Sequence, residues 1–431
     1  MSFRPIALAR LAIPLLVGLV PLTATAQQQR DEQFYYPGGF NWQFLNVYPE
    51  AARLFNAFDY GHAVLYERLY THQGKATESL EKEYRYLTTD LLVRPPRFAI
   101  AEEAVMPAYA KVAWRAKQMF DWAHLLHRQI YDVYADERLT PVQRDSLIER
   151  LTDYYLSRKD YAFSAAPKAM ALMDEQPFSQ TFRKGYPKFN GLIWSYHWLQ
   201  VGLYEPFIEG RTKAEKKAGL AATVARFWSM LEDAPARFPR EMPMTSAVAP
   251  RFSAAHPRAA VIFDNLHMTH DIISDILVSD RVPQKDKGAE INRQLDKLQD
   301  STRDVMTLEE WRTMGAQMGG VDVMGGPATG LLRQPQATPP AMSGGMHDMD
   351  GMRHAMPKPA TAASDSSGHG MSSMAMPDSA MKPDRMRSMM ELHARMMRDP
   401  VIRQRIVADT AMRRMMDAMG RHDRKPEMSP P

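Results

Sequence analysis

Apolar residues recur at spacings of three and four through residues 34–314, with few alternating β-branched runs, and this periodicity predicts amphipathic helices rather than strands. The pattern places helices at about 49–72, 76–91, 98–135, 141–158, 189–209, 212–233, 257–279 and 285–301. Pro49, Pro141, Pro167, Pro187, Pro235 and Pro283 fall at or near these ends, as expected of a residue that lacks an N–H and fixes its φ angle. The periodicity fades at Gly315. From there to Ser379 the chain is rich in Gly, Pro, Ser, Ala and Met and nearly devoid of aromatics, too little apolar surface to offset the chain entropy of folding. Helical spacing returns over about 384–398 and 400–418, interrupted at Asp399-Pro400. The expected architecture is all-α. A multi-helix bundle spans 27–314, a disordered Met/His-rich linker 315–382, a short helical hairpin 383–420 and a disordered tail 421–431.

The first residues carry a different pattern. Arg4 and Arg10 precede an apolar run from Leu11 to Leu22 that is interrupted by Pro14 and Pro21, and Ala24-Thr25-Ala26 supplies the small-x-small signature of a cleavage site before Gln27. The run is short for a membrane span. Residues 1–26 are therefore expected to be a secretory signal, with no transmembrane anchor after cleavage and a periplasmic or secreted mature protein.

Composition narrows the chemistry. The chain has no cysteine, which excludes disulfides, thiolate metal sites and covalent haem attachment. Soft-metal binding would then fall to Met and His. A net charge of +4, with Lys and Arg scattered among acids, gives no basic stripe for nucleic acid. No Gly-rich phosphate loop, His-Glu-x-x-His helix or Gly-x-Ser-x-Gly elbow is present.

Three predicted helices share the pattern Phe-Asp-x-x-His: Phe58-Asp59-x-x-His62, Phe120-Asp121-x-x-His124 and Phe263-Asp264-x-x-His267, the last two continuing to His127 and His270. From the chain's own residue frequencies, chance copies are expected at a level on the order of a few hundredths. Residues i and i+3 lie about 60° apart around a helix, so each pair of imidazoles fans over one face. A fourth helix carries His197 between Tyr196 and Trp198. Packed as a bundle, the four helices could bring His62, His124, His127, His197, His267 and His270 to one layer, with Asp59, Asp121 and Asp264 either orienting the rings or ligating directly. The competing reading is helix packing, with Phe in the core and each Asp–His pair joined locally.

Several centres suit such a set. Imidazole accepts copper, zinc or iron, and bundles also house b-type haem between two histidines. Ferritin-like di-iron sites use Glu-x-x-His pairs, which this chain replaces with Asp-x-x-His. Six helical histidines are similar in number to the ligands of dinuclear copper proteins related to tyrosinase, but the His-x-x-x-His pair of that family is absent.

Of 32 methionines, 22 lie from Met314 onward. One cluster holds Met342, Met346, His347, Met349, Met352, His354 and Met356, and a second His369, Met371, Met374 and Met376. Thioether sulfur with imidazole suits Cu(I) and Cu(II). This tract resembles the Met/His-rich segments of periplasmic copper-handling and copper-resistance proteins, a resemblance of composition that implies metal capture without assigning individual ligands. A flexible linker, silver binding or oxidant scavenging would leave the same composition. In the predicted hairpin Met386, Met389, Met390, His393, Met396 and Met397 form one stripe, which reads first as an adaptable packing surface for the sister helix, the body or a protein partner. Copper capture or delivery is thus the leading expectation. An exported redox metalloenzyme and a metal-free helical interaction protein are the alternatives.

Overall fold

The computed structural model describes residues 34–325 apart from residue 74. The expected signal segment, the Met/His clusters from Met342 to Met376 and the hairpin stripe Met386–Met397 lie outside the described residues. Among those described, helix predominates and the only β feature is one isolated bridge, Lys168 to Val305. Nine helices reach ten residues or more: α1 Pro49–His72, α2 Thr77–Tyr86, α3 Trp114–Ala135, α4 Pro141–Ser157, α5 Pro187–Gly202, α6 Lys213–Glu232, α7 Pro257–Val278, α8 Lys287–Gln299 and α9 Leu308–Gln317.

Local chemistry sets many of the ends. Pro49, Pro141, Pro187 and Pro257 each occupy a first-turn position, where the missing N–H costs no intrahelical bond. Thr140 with Gln143, Thr212 with Glu215 and Thr307 with Glu310 form capping boxes that satisfy the first N–H groups of α4, α6 and α9.

Several predicted boundaries differ from the structure; 189–209, for one, divides at Leu203 into α5 and the short helix Tyr204–Glu209. The stretch 98–135 is not one helix but three pieces, Glu102–Val105, Pro107–Val112 and α3, separated at Met106 and Ala113. Pro107 has no N–H to extend a preceding helix. The body also runs past residue 314. Helix α9 continues to Gln317, a 3-10 turn covers Val321–Met324, Met324 is fully buried, and Arg226 donates to the Gly325 carbonyl.

The short helices are anchored by carboxylates from distant positions. Asp132 accepts from the Trp42 and Phe44 amides, Glu67 from Ala108 and Tyr109, Asp275 from Gln180 and Phe182, and Glu205 from Arg251 and Phe252. Each serves the exposed amides of a helix N-terminus, where a negative charge is also favoured by the helix dipole. A carboxylate so used is removed from the pool of candidate ligands.

Helices α5 and α7 are central. Every residue of α5 from Phe189 to Gly202 is buried, as is every residue of α7 from Ala259 to Leu277. Neighbouring helices supply this burial; among the described residues no helix is long and apolar enough to cross a membrane. Helix α1 packs against α5 and α7, and α7 packs against α3. The α1–α5 approach depends on Gly61, because a Cβ there would come within 2.7 Å of the Tyr196 ring. The same contact lets Phe58 stack on Tyr196 at 4.2 Å between centroids.

Candidate metal centre

The polar side chains of α1, α3, α5 and α7 meet in the middle of this packing. His62 Nε2 stands 3.1 Å from His197 Nε2, and the same His197 nitrogen stands 2.9 Å from His270 Nδ1. One imidazole nitrogen carries either a proton or a lone pair, so His197 Nε2 cannot donate to one neighbour and accept from the other at once. A single ion offers all three lone pairs a common target. With metal–nitrogen bonds of about 2.0–2.1 Å and tetrahedral or trigonal angles, ligand nitrogens lie roughly 3.3–3.6 Å apart. The observed spacing is slightly tighter and close to that geometry.

The other three histidines adjoin this trio and differ in their surroundings. His267 stacks on His197, with centroids 4.2 Å apart, and neither of its nitrogens has a hydrogen-bond partner. His127 lies against Phe263 at 3.4 Å, and its Nδ1 is 2.7 Å from the Tyr204 hydroxyl. His124 sits 6.2 Å from His62 and 5.8 Å from His270 by ring centroid. All six are buried. The structure therefore gathers all six imidazoles into one contiguous cluster and brings only His62, His197 and His270 within ligand distance of one another.

Orphaned nitrogens distinguish the cluster from ordinary packing. His124 Nε2, His127 Nε2, His197 Nδ1, both nitrogens of His267 and His270 Nε2 have no hydrogen-bond partner among protein atoms. A buried polar atom without a partner costs about 1–3 kcal/mol, and this many in one place is unusual for a structural core. Burial drives the pKa of His62 down to about 3, with the charge of His124 adding to the effect and the Phe58 carbonyl opposing it. Burial also takes His124 down to about 3, aided by Arg128. His127, His197, His267 and His270 are lowered by burial and by one another. Neutral imidazole is the form that binds a metal.

The three aspartates of the repeated pattern do not share a role. Asp264 is not an orienter of His267: its Oδ1 accepts from the Thr245 amide and hydroxyl, and its Oδ2 from Trp311 Nε1. It belongs with the carboxylates that cap short helices. Asp121 pairs with Lys117 rather than with a histidine. Only Asp59 faces an imidazole, and it is that of His124 on α3, with Nδ1 3.6 Å from Asp59 Oδ1, rather than its own motif partner His62. The phenylalanines are exchanged too. Phe120 of α3 meets His270 of α7 edge-on at 4.2 Å, while Phe263 of α7 stacks on His127 of α3. The pattern thus encodes reciprocal packing between helices.

Glu102 was not singled out by the sequence. It lies in the broken stretch before α3, is buried, and places a carboxylate oxygen within 4.8 Å of ligand atoms of Asp59 and His124. Burial first, then Asp121 and Asp59, push its pKa well up. No local motif marks it, because its partners are on other elements.

An open cleft of about 430 Å³ reaches this part of the molecule, lined by Trp42, Phe98, Trp114 and Trp122 together with Asp59, Glu102 and His124. Its size is that of a small-molecule site. Fold and centre together define an all-α protein built around a buried imidazole cluster beside an aromatic cleft. No family model, curated protein or solved structure matches the chain.

Proposed function

We propose that this is an exported transition-metal-binding protein in which His62, His197 and His270 hold an ion, copper by preference, and a Met/His-rich tail captures or delivers it. The observation that carries the reading is the convergence of three imidazole nitrogens from three helices, at 2.9 and 3.1 Å, amid ring nitrogens that no protein group satisfies. An all-nitrogen donor set suits copper, zinc, nickel and iron. The methionine clusters at 342–376 and the absence of cysteine tilt the choice to copper. A b-type haem is disfavoured, since a macrocycle needs a slot between its two axial rings and nitrogens in mutual contact leave none. The leader-like residues 1–26 support export. The Met stripe of 386–397 remains the surface proposed for a protein partner.

The neighbouring cleft favours a second reading, an exported redox metalloenzyme whose substrate enters beside His124. Metal content and optical and paramagnetic spectra test both. The protein is purified from cells grown with added copper and iron, as the full chain, as a chain ending at Gly325 and as that shorter chain with His197→Ala. About one ion retained by the shorter chain and lost with His197→Ala supports the buried centre. Metal retained in full by His197→Ala removes it. Loss of metal on truncation alone assigns binding to the tail.

A further inference from the structure

We propose a second, separate metal site at the base of the cleft, formed by Asp59, Glu102 and His124 and suited to a divalent cation harder than the ion of the three-histidine centre. The three residues come from α1, the short helix Glu102–Val105 and α3, and each offers a ligand atom within 4.8 Å of the others. Arg128 holds Asp59 through Oδ2 and leaves Oδ1 buried without a hydrogen-bond partner. His124 is 5% exposed; its Nδ1 stands 3.6 Å from Asp59 Oδ1, too far for a hydrogen bond, and its Nε2 has no partner. One orphaned and buried carboxylate oxygen on α1 therefore lies beside a ring nitrogen of α3 without bonding to it.

Charge points the same way. Asp59, Glu102, Glu103, Asp121 and Asp132 contribute five carboxylates to the cleft wall, against Arg97, Lys117, Arg128 and Arg158, an excess of one negative charge when all are ionised. Carboxylate oxygen suits Mn(II) and other hard ions, and one imidazole extends the range to Fe(II) and Zn(II). All three residues line the cleft, which leaves room for water to complete the coordination. The site stands whether or not the inner centre binds metal. If it does, His124 lies between the two, and an ion arriving through the cleft meets the oxygen donors first.

Mn(II) is the probe, because the inner all-nitrogen set binds it weakly. The full chain, freed of metal with chelator and exchanged into chelator-free buffer, is titrated while free Mn(II) is read from its six-line paramagnetic signal. Wild type and His197→Ala are each expected to bind one equivalent. Glu102→Gln is expected to weaken that equivalent at least tenfold with an unchanged helical spectrum. Should Glu102→Gln fail to fold, Asp59→Asn, which keeps an acceptor for Arg128, gives the same readout. No binding by wild type, or equal binding by a folded Glu102→Gln, overturns the site. Failure of the inner centre would show instead as equal copper retention by the chain ending at Gly325 with and without His197→Ala, with Mn(II) binding intact.

Discussion

The imidazole cluster makes metal-free stability depend on pH in a way that one substitution isolates. His62 has an ordinary pKa of about 6.5 unfolded and about 3 folded, chiefly through burial. The folded value is below the unfolded one, so between these values the unfolded chain binds more protons. The stability this ring contributes is intact above pH 6.5 and is lost as pH falls from 6.5 toward 3. At pH 5 the loss is RT ln[(1 + 10^1.5)/(1 + 10^−2)], about 2 kcal/mol, rising to about 5 kcal/mol once pH is below both values. Buried carboxylates such as Asp264, which burial pushes up to about 7, drive stability the opposite way over part of this range. The test is therefore a difference between wild type and His62→Asn. Urea unfolding in chelator at pH 8 and pH 5 should show wild type losing about 2 kcal/mol more than the variant, or about 4 °C in melting temperature. Curves that shift in parallel, within about 0.5 kcal/mol, would mean that the ring is hydrated in the metal-free protein and that the buried cluster is wrong.

Other perturbations separate the site from its scaffold. Gly61→Ala should cost about 1–3 kcal/mol, because the new methyl meets a Tyr196 ring held by Phe58; it should also lower copper loading, read by metal analysis. Asp264→Ala leaves the Thr245 amide and hydroxyl and Trp311 Nε1 without their acceptor and should cost about 3 kcal/mol, while the folded fraction keeps its metal stoichiometry. Thr307→Ala removes one capping box of α9 and should lower stability by about 1 kcal/mol with no change in metal content.

What the chain specified locally can be read from it directly. The helical class follows from apolar spacing, and α1, α4 and α7 begin where a proline precedes a periodic run. The repeated Phe-Asp-x-x-His pattern and its continuations marked five histidines, a fourth predicted helix added His197, and these side chains do meet. Helical repeats fix which residues share a face, and in α5 and α7, buried on every side, any polar residue must be interior.

The division of labour among those residues was decided only by tertiary packing. Asp264 and Asp121 carry the same motif position as Asp59, yet one caps a short helix, one pairs with lysine and one faces His124. Ligand distance is reached by His62, His197 and His270, one from each of three helices, because Gly61 lets α1 approach α5. Glu102 enters the cleft wall from a break that periodicity had bridged as one helix. Lys117 is a local partner of Asp121, one turn away, but the groups that meet Asp59, Asp264 and Glu102 come from other elements, and local spacing carries no information about which of these will satisfy a buried charge.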